Sequence, residues 1–205
     1  MTDRPGKIVC VGRNYSEHAR ELGNEVPKEP LLFLKPPSSV IHDGEAIMLP
    51  RQSNQVEYEG EIGIVIGSRL YQATPVQAVS AVRGICAVND VTARDLQRTD
   101  DQWTRAKGFD TFCAVGPESQ PPSDLGTLLV LTRVNGVERQ RGRASDMVFS
   151  IPELLSYISG IMTLEPGDLV ATGTPAGVGK LTAGDVVEVE IPGLSKVRNP
   201  VTNTV

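Results

Sequence analysis

Val56-Glu57-Tyr58-Glu59-Gly60-Glu61-Ile62-Gly63-Ile64-Val65-Ile66 is the segment that decides the fold. Read as one long strand, it places alternate residues on opposite faces. Val56, Tyr58, Ile62, Ile64 and Ile66 share one face, and Glu57, Glu59 and Glu61 share the other. Same-face neighbours in a strand lie about 7 Å apart at Cα. At an effective dielectric near 20, each pair of carboxylates at that spacing repels by roughly 2 kcal/mol. Water relieves that repulsion, and a divalent cation reverses it. A solvated strand face is therefore one reading. Two features favour a cation instead: Gly60 and Gly63 leave open space beside the carboxylates, and Ile62–Ile66 is too apolar for an exposed strand end. Oxygen-only ligands suit a hard cation, Mg²⁺ first and Mn²⁺ as the alternative. Asp90 is the third carboxylate, since it follows the short apolar run Gly84–Asn89, read as a buried strand. Asp95 competes for that place, but reads better as a partner of Arg94 or Arg98.

The flanking chain is punctuated by turns. Lys7–Val11 reads as a strand, Ser16 to Leu22 as a short helix closed by Gly23, and Thr74-Pro75 as the start of a helix reaching about Arg83. Leu128–Val134 and Val137–Arg141 flank Asn135-Gly136, a strong hairpin signal. Ser150-Ile-Pro-Glu153 matches a capping box opening a helix to about Ser159. Leu169–Thr172 and Asp185–Ile191 read as strands on either side of the loop Thr174–Gly179. Asp90 to Gly108 carries little periodicity. This balance gives an α+β, β-rich fold rather than a regular βαβ array.

Composition narrows the function. A chain of 205 residues suits one domain, expected here over residues 1–205. With 40% hydrophobic and 22% charged residues, it has the means to pack a core. A formal net charge of −5 and only 4% aromatics argue against nucleic acid as a partner. The sequence has no apolar run long enough to span a membrane and no signal-like start. Three cysteines, Cys10, Cys86 and Cys113, without CxxC spacing fit reduced thiols in a cytoplasm.

Proton-transfer groups are few. His18 and Glu21 lie three apart, so a helix sets them on one face, where a carboxylate orients an imidazole and raises its basicity. A surface His–Glu pair is the competing reading. His42, in Ile41-His42-Asp43-Gly44, reads as structural. Lys107 is placed to neutralise an enolate or carboxylate, against the default of a surface lysine. Thr172-Gly173-Thr174-Pro175 supplies hydroxyls and turn amides suited to a carboxylate, but lacks the P-loop spacing and lysine.

Taken in order, these segments resemble the fumarylacetoacetate hydrolase family in its short, single-domain acylpyruvase and oxaloacetate decarboxylase-like branch. The resemblance runs from Lys7-Ile-Val-Cys-Val-Gly-Arg-Asn-Tyr15 with His18 and Glu21, through Phe33-Leu-Lys-Pro-Pro-Ser38 and Glu59-Gly-Glu61. It continues through Asn89-Asp-Val-Thr-Ala-Arg-Asp-Leu-Gln97 and Ala106-Lys-Gly-Phe-Asp110 to Gly167-Asp168 and Thr172–Gly179. The resemblance implies a mixed β-sandwich roll and a homodimer. It also implies Mg²⁺ or Mn²⁺ on Glu59, Glu61 and Asp90, and a His18–Glu21 dyad on a segment that orders over ligand. It further implies Gln97 and Lys107 near the substrate's oxo groups, Thr174 near its carboxylate, and Arg13 as a further substrate contact. The expected activity is metal-dependent hydrolysis of C–C bonds in acylpyruvate-type 2-oxo acids, with oxaloacetate decarboxylation beside it. The alternatives are an isomerase or tautomerase of oxaloacetate or of a ring-cleavage dienedioate, and a non-catalytic 2-oxo-acid binder. Longer members carry an N-terminal domain for which this chain has no room. They also carry an acidic residue seven positions before the His, where this sequence has Val11.

Overall fold

Backbone pairing breaks the acidic segment in two. The computed structural model describes residues 4–21, 23 and 25–204. Its strands are β1 (Ile8–Gly12), β2 (Leu31–Lys35), β3 (Val40–Ile41), β4 (Ile47–Leu49), β5 (Val56–Tyr58), β6 (Gly60–Ile66), β7 (Val82–Asp90) and β8 (Thr92–Ala93). They continue with β9 (Cys113–Val115), β10 (Leu129–Val134), β11 (Val137–Arg143), β12 (Leu169–Ala171), β13 (Gly179–Lys180), β14 (Val186–Ile191) and β15 (Ser195–Asn203). The helices are α1 (Ser16–Glu21), α2 (Pro75–Ser80), α3 (Arg94–Thr99), α4 (Thr104–Gly108) and α5 (Ile151–Ile161). Leu22, the expected last residue of the first helix, lies outside the described residues.

Glu59 is the break. Its amide donates to the Asn89 side chain at 3.0 Å, and its carbonyl accepts the Asp90 amide at 2.8 Å. Beyond it, β6 runs antiparallel to β7 in a seven-stranded mixed sheet ordered β2-β1-β12-β6-β7-β9-β3. Before it, β5 joins a small sheet ordered β13-β5-β8. The expected single strand is thus two strands in two sheets, yet the alternation survives the break. Val56, Tyr58, Ile62, Ile64 and Ile66 all enter one hydrophobic core.

That core lies between one face of the seven-stranded sheet and a five-stranded sheet ordered β11-β10-β14-β15-β4. The two sheets meet closely. A Cβ on Gly60 would sit 1.9 Å from Thr132 Oγ1 of the facing sheet, while one on Gly63 would sit 2.5 Å from Val88 Cγ2 on the neighbouring strand of its own sheet. These glycines therefore serve strand packing, not open space beside the carboxylates, which corrects the expectation from sequence. The opposite face of the large sheet carries a second cluster that includes Ile8, Cys10, Val40, Val65, Cys86, Cys113 and Leu169. Phe33 on edge strand β2 and Val40 on edge strand β3 both pack into it, so the sheet curls and this face is its inside. The result is a mixed β-sandwich with a rolled sheet.

Local signals act as read. Asn135 and Gly136 adopt φ of 53° and 79°, the left-handed pair a two-residue hairpin needs, and join β10 to β11. The Ser150 and Glu153 capping box opens α5. Thr74 and Gln77 form a second one at α2. That helix stops at Ser80 rather than near Arg83, because the Ala81 carbonyl accepts the Gly67 amide at 2.7 Å and the chain passes into β7. Among the described residues, no helix is long and apolar enough to cross a membrane.

Candidate active site

One end of the rolled sheet opens into a cavity of about 440 Å³. Its lining includes Glu59, Glu61, Lys107, His18, Glu21 and Thr174, together with Arg13, Arg94, Gln97, Arg98, Phe33 and Trp103. The three acidic residues come together through strand register. Gly60 pairs with Asn89, so Glu59 and Glu61 flank the end of β7 that carries Asp90. One oxygen from each of Glu59, Glu61 and Asp90 lies within 4.8 Å of the others, and all three residues are buried. The solvated-face reading of the acidic strand fails on this burial. Glu57, the third carboxylate of that face, instead pairs with Arg94 Nε at 2.8 Å and Gln55 Nε2 at 2.6 Å.

Buried carboxylates this close require opposite charge. Lys107 Nζ supplies it, 2.7 Å from Glu59 Oε2 and 2.6 Å from Asp90 Oδ2. Arg94 Nη2 closes on Glu59 Oε1. Lys35 Nζ lies 2.6 Å from Asp90 Oδ1 and donates to the Val91 carbonyl at 3.1 Å. The Lys35–Asp90 contact lacks hydrogen-bond geometry, so Asp90 Oδ1 is a buried oxygen without a hydrogen-bond donor. Burial raises the Glu59 pKa, but the charges of Lys107, Arg94 and His18 outweigh it and hold Glu59 well below the usual carboxylate range. Glu61 goes the other way. Burial, then Asp90 and Glu59, push its carboxyl well above that range, against Lys107 and the Gly173 amide. Burial disfavours the Lys107 ammonium, but Asp90 and Glu59 prevail and raise its pKa.

These residues fit a divalent cation. The ligand atoms are hard oxygens, one of them, Asp90 Oδ1, is met by Lys35 without hydrogen-bond geometry, and Glu61 sits among negative neighbours that a further cation or a proton would relieve.

The His18–Glu21 pair faces the same cavity. On α1, His18 is buried and its Nδ1 lies 3.2 Å from Glu21 Oε2. Gly177 N–H donates to both Glu21 oxygens, at 3.0 and 3.2 Å. Gly173 N–H donates to Glu61 Oε2 at 2.7 Å. The glycine loop therefore does bind carboxylates through its amides, but those of the protein itself. Both glycines have φ above +100°, and a Cβ would meet Asn14 Cβ at 2.7 Å in one and the Arg139 carbonyl at 2.1 Å in the other. The Thr174 hydroxyl donates to the Gly60 carbonyl at 2.9 Å and accepts from Gln140 Nε2 at 2.8 Å. Gln97 lines the cavity with its Oε1 held by Arg94 at 2.6 Å. Arg13 lines it from a left-handed backbone, φ 58°. Val11 also reaches the wall.

One sequence expectation changes here. Asp95 is not an arginine partner: it accepts from Ser53 Oγ at 2.6 Å and the Asn54 amide at 2.8 Å. His42 stands apart, on the lining of a different cavity. Lys35, Arg94 and Trp103 were missed as site residues. Their signal was position, since each lies inside or beside a segment quoted above for its resemblance. The cysteines are free and buried, and burial pushes the Cys113 thiol up to about 12, so it stays protonated at neutral pH.

A family model described as fumarylacetoacetate (FAA) hydrolase C-terminal matches residues 7–202. The chain is 43% identical over 199 residues to the mitochondrial oxaloacetate tautomerase of Arabidopsis thaliana, covering 94% of this chain and 89% of that protein. It is 43% identical over 196 residues to the mitochondrial oxaloacetate decarboxylase of Dictyostelium discoideum, covering 92% and 89%. The structure superposes with a TM-score of 0.89 on fumarylpyruvate hydrolase from Pseudomonas aeruginosa, solved in complex with Mn²⁺ and pyruvate. That match is at 32% identity and covers 97% of this chain and 90% of the other.

Proposed function

The chain belongs to the fumarylacetoacetate hydrolase family, and from that premise we propose that it takes a short 2-oxo acid through its enolate, with keto–enol interconversion of oxaloacetate as the first reaction. The observation that carries this reading is the His18–Glu21 pair facing the Glu59, Glu61 and Asp90 cluster across one cavity. The two relatives at 43% identity support placing oxaloacetate chemistry ahead of the hydrolysis expected first from sequence.

Glu59, Glu61 and Asp90 would hold Mg²⁺, with Mn²⁺ as the alternative. When bound, the cation supplies Lewis acidity to the carboxylate and ketone oxygens of the 2-oxo acid. With the imidazole Nδ1 proton donated to Glu21, Nε2 of His18 carries the lone pair and acts as the base. It removes the C3 proton of the keto acid, the enolate oxygen takes a proton from solvent to give the enol, and the reverse path takes that proton away and returns one to C3 from the imidazolium. Lys107 offsets the negative charge that builds on the enolate, and the end of Gln97 not held by Arg94 offers an amide donor beside it. Loss of CO₂ from the keto form breaks the C3–C4 bond and leaves the pyruvate enolate, a different enolate that the same groups would stabilise, and it needs no activated water.

Hydrolysis of acylpyruvates is the second reading, supported by likeness to the fumarylpyruvate hydrolase. There His18 Nε2 would take a proton from water as its oxygen attacks the distal carbonyl. The C–C bond then breaks to release a carboxylic acid and the pyruvate enolate. Arg13 and Thr174 are taken to bind substrate in either reaction, and the working unit to be a homodimer, which sedimentation would check.

The deciding experiment gives purified protein oxaloacetate or acetylpyruvate, with Mg²⁺ or EDTA, and follows tautomer exchange, CO₂, acetate and pyruvate separately. Mg²⁺-dependent exchange is the expected outcome. Acetate and pyruvate without exchange would move hydrolysis to first place. Full activity in EDTA would overturn the cation.

A further inference from the structure

Four cationic side chains other than His18 line the active cavity, and only two of them are engaged by carboxylates. Arg94 is held by Glu57, Glu59 and Gln97, and Lys107 by Glu59 and Asp90. Among the described residues, neither Arg13 nor Arg98 forms an ion pair. Arg98 Nη1 donates only to a neutral acceptor, Gln55 Oε1, at 3.1 Å.

Position gives Arg98 a direction. Arg94 and Arg98 lie four apart on α3, hence on one face and one turn from each other. Arg94 is buried against the carboxylates, whereas Arg98 is exposed and still lines the cavity. The pair therefore runs from the floor of the cavity to its mouth. A 2-oxo acid whose head lies at the carboxylate cluster presents its far end toward that mouth. A guanidinium without a carboxylate partner is complementary there to a second carboxylate, which it can meet with paired charged hydrogen bonds.

We propose that Arg98 is a specificity-determining residue that reads the distal carboxylate of a 2-oxo dicarboxylic acid, so that the site favours such diacids over equally long 2-oxo acids with a neutral end. This rests on the 2-oxo-acid reading above. The competing account is structural: Arg98 holds Gln55, whose Nε2 donates to Glu57 at 2.6 Å, and Glu57 holds Arg94.

The two accounts separate on one pair of probes, oxaloacetate and 2-oxobutanoate, which differ in carrying a carboxylate or a methyl at the far end. Trp103, the single tryptophan, lines the cavity, so its fluorescence reports binding directly in the Mg²⁺-loaded protein. Arg98→Met is expected to weaken oxaloacetate by about 10- to 100-fold, the scale of a charged hydrogen bond, and to leave 2-oxobutanoate within about twofold. Arg98→Lys should restore part of the preference, since it returns the charge without the fork. Equal weakening of both probes would establish the structural account and overturn the proposal. An unchanged ratio with full affinity would overturn it too, while leaving the 2-oxo-acid reading intact. Wild-type protein that binds neither probe would remove both.

Discussion

The inside of the rolled sheet has two ends, built from the same strands and the same side-chain phase, with opposite chemistry. On β6, Glu61 faces one end and Val65 the other; on β7, Asp90 and Cys86 divide the same way. The far end opens into a cavity of about 610 Å³, larger than the active one. Its floor is Val40, Val65, Cys86 and Leu169, while its charged residues, Arg83 and Glu118 among them, stay at an exposed rim and pair with each other at 2.8 Å. At the active end, three buried cations, Lys35, Arg94 and Lys107, face four buried carboxylates, Glu57, Glu59, Glu61 and Asp90. With His18 neutral, as a base must be, and the rest ionised, that set carries one excess negative charge, and Glu61 is the carboxyl that burial, Asp90 and Glu59 push upward. Concavity alone therefore does not make the reactive end. An unbalanced, desolvated set of charges does.

Four experiments would break or sharpen this contrast. Glu59→Gln has the largest expected effect. It leaves Lys107 and Arg94 short of a buried partner, a change that costs about 3–5 kcal/mol of stability, and 2-oxo-acid turnover should fall to background. Denaturant titration beside the tautomer assay would check both. His18→Ala comes next. Proton transfer should slow by about 10²–10⁴-fold with cation affinity unchanged, and decarboxylation should suffer less than hydrolysis. Equal losses in those two assays would deny His18 its role toward water. Leu169→Ala, at the apolar end, should cost about 2–5 kcal/mol of stability and leave KM alone; a shift in KM would mean the two ends are coupled.

The smallest effect concerns pH. The Glu61 carboxyl is raised in the folded state, so the cation-free protein should lose stability as pH climbs from the ordinary carboxylate range through that raised value. A cation bound at Glu61 would compete with a proton on that carboxyl. Affinity for Mg²⁺ should therefore rise with pH over the same window, with proton release visible calorimetrically in buffers of different ionisation enthalpy. Affinity independent of pH would show that Glu61 binds no proton there. Glu59, held low by Lys107 and Arg94 despite its burial, has the opposite sign, and its contribution fades only in strong acid.

What the sequence disclosed was periodic or local. Alternation through Val56–Ile66 gave the two faces correctly, because a strand's phase depends on neighbours alone. Asn135-Gly136 and the Ser150 capping box were equally local. His18 and Glu21 were readable because a single helical turn joins them. The strand break at Glu59 was not readable, since it depends on an Asn89 side chain 30 residues away taking the Glu59 amide. Lys35 and Arg94 escaped for the same reason: their carboxylate partners come from other strands. Gly60 and Gly63 were misread because a missing Cβ looks alike whether a ligand or a neighbouring strand fills the space.

The loop that carries Gly173 and Gly177 also sets an order of assembly. Gly173 steadies Glu61 across 112 residues of chain, and Gly177 steadies Glu21 across 156. Both the acidic cluster and the His18–Glu21 pair are thus completed by the last quarter of the polypeptide. On the ribosome, a nascent chain that already holds every acidic residue of the cluster and Glu21 still lacks the amides that aim Glu61 and Glu21. If the cluster holds a cation as proposed, competence to bind it would arrive late, through contacts of high sequence separation that form slowly.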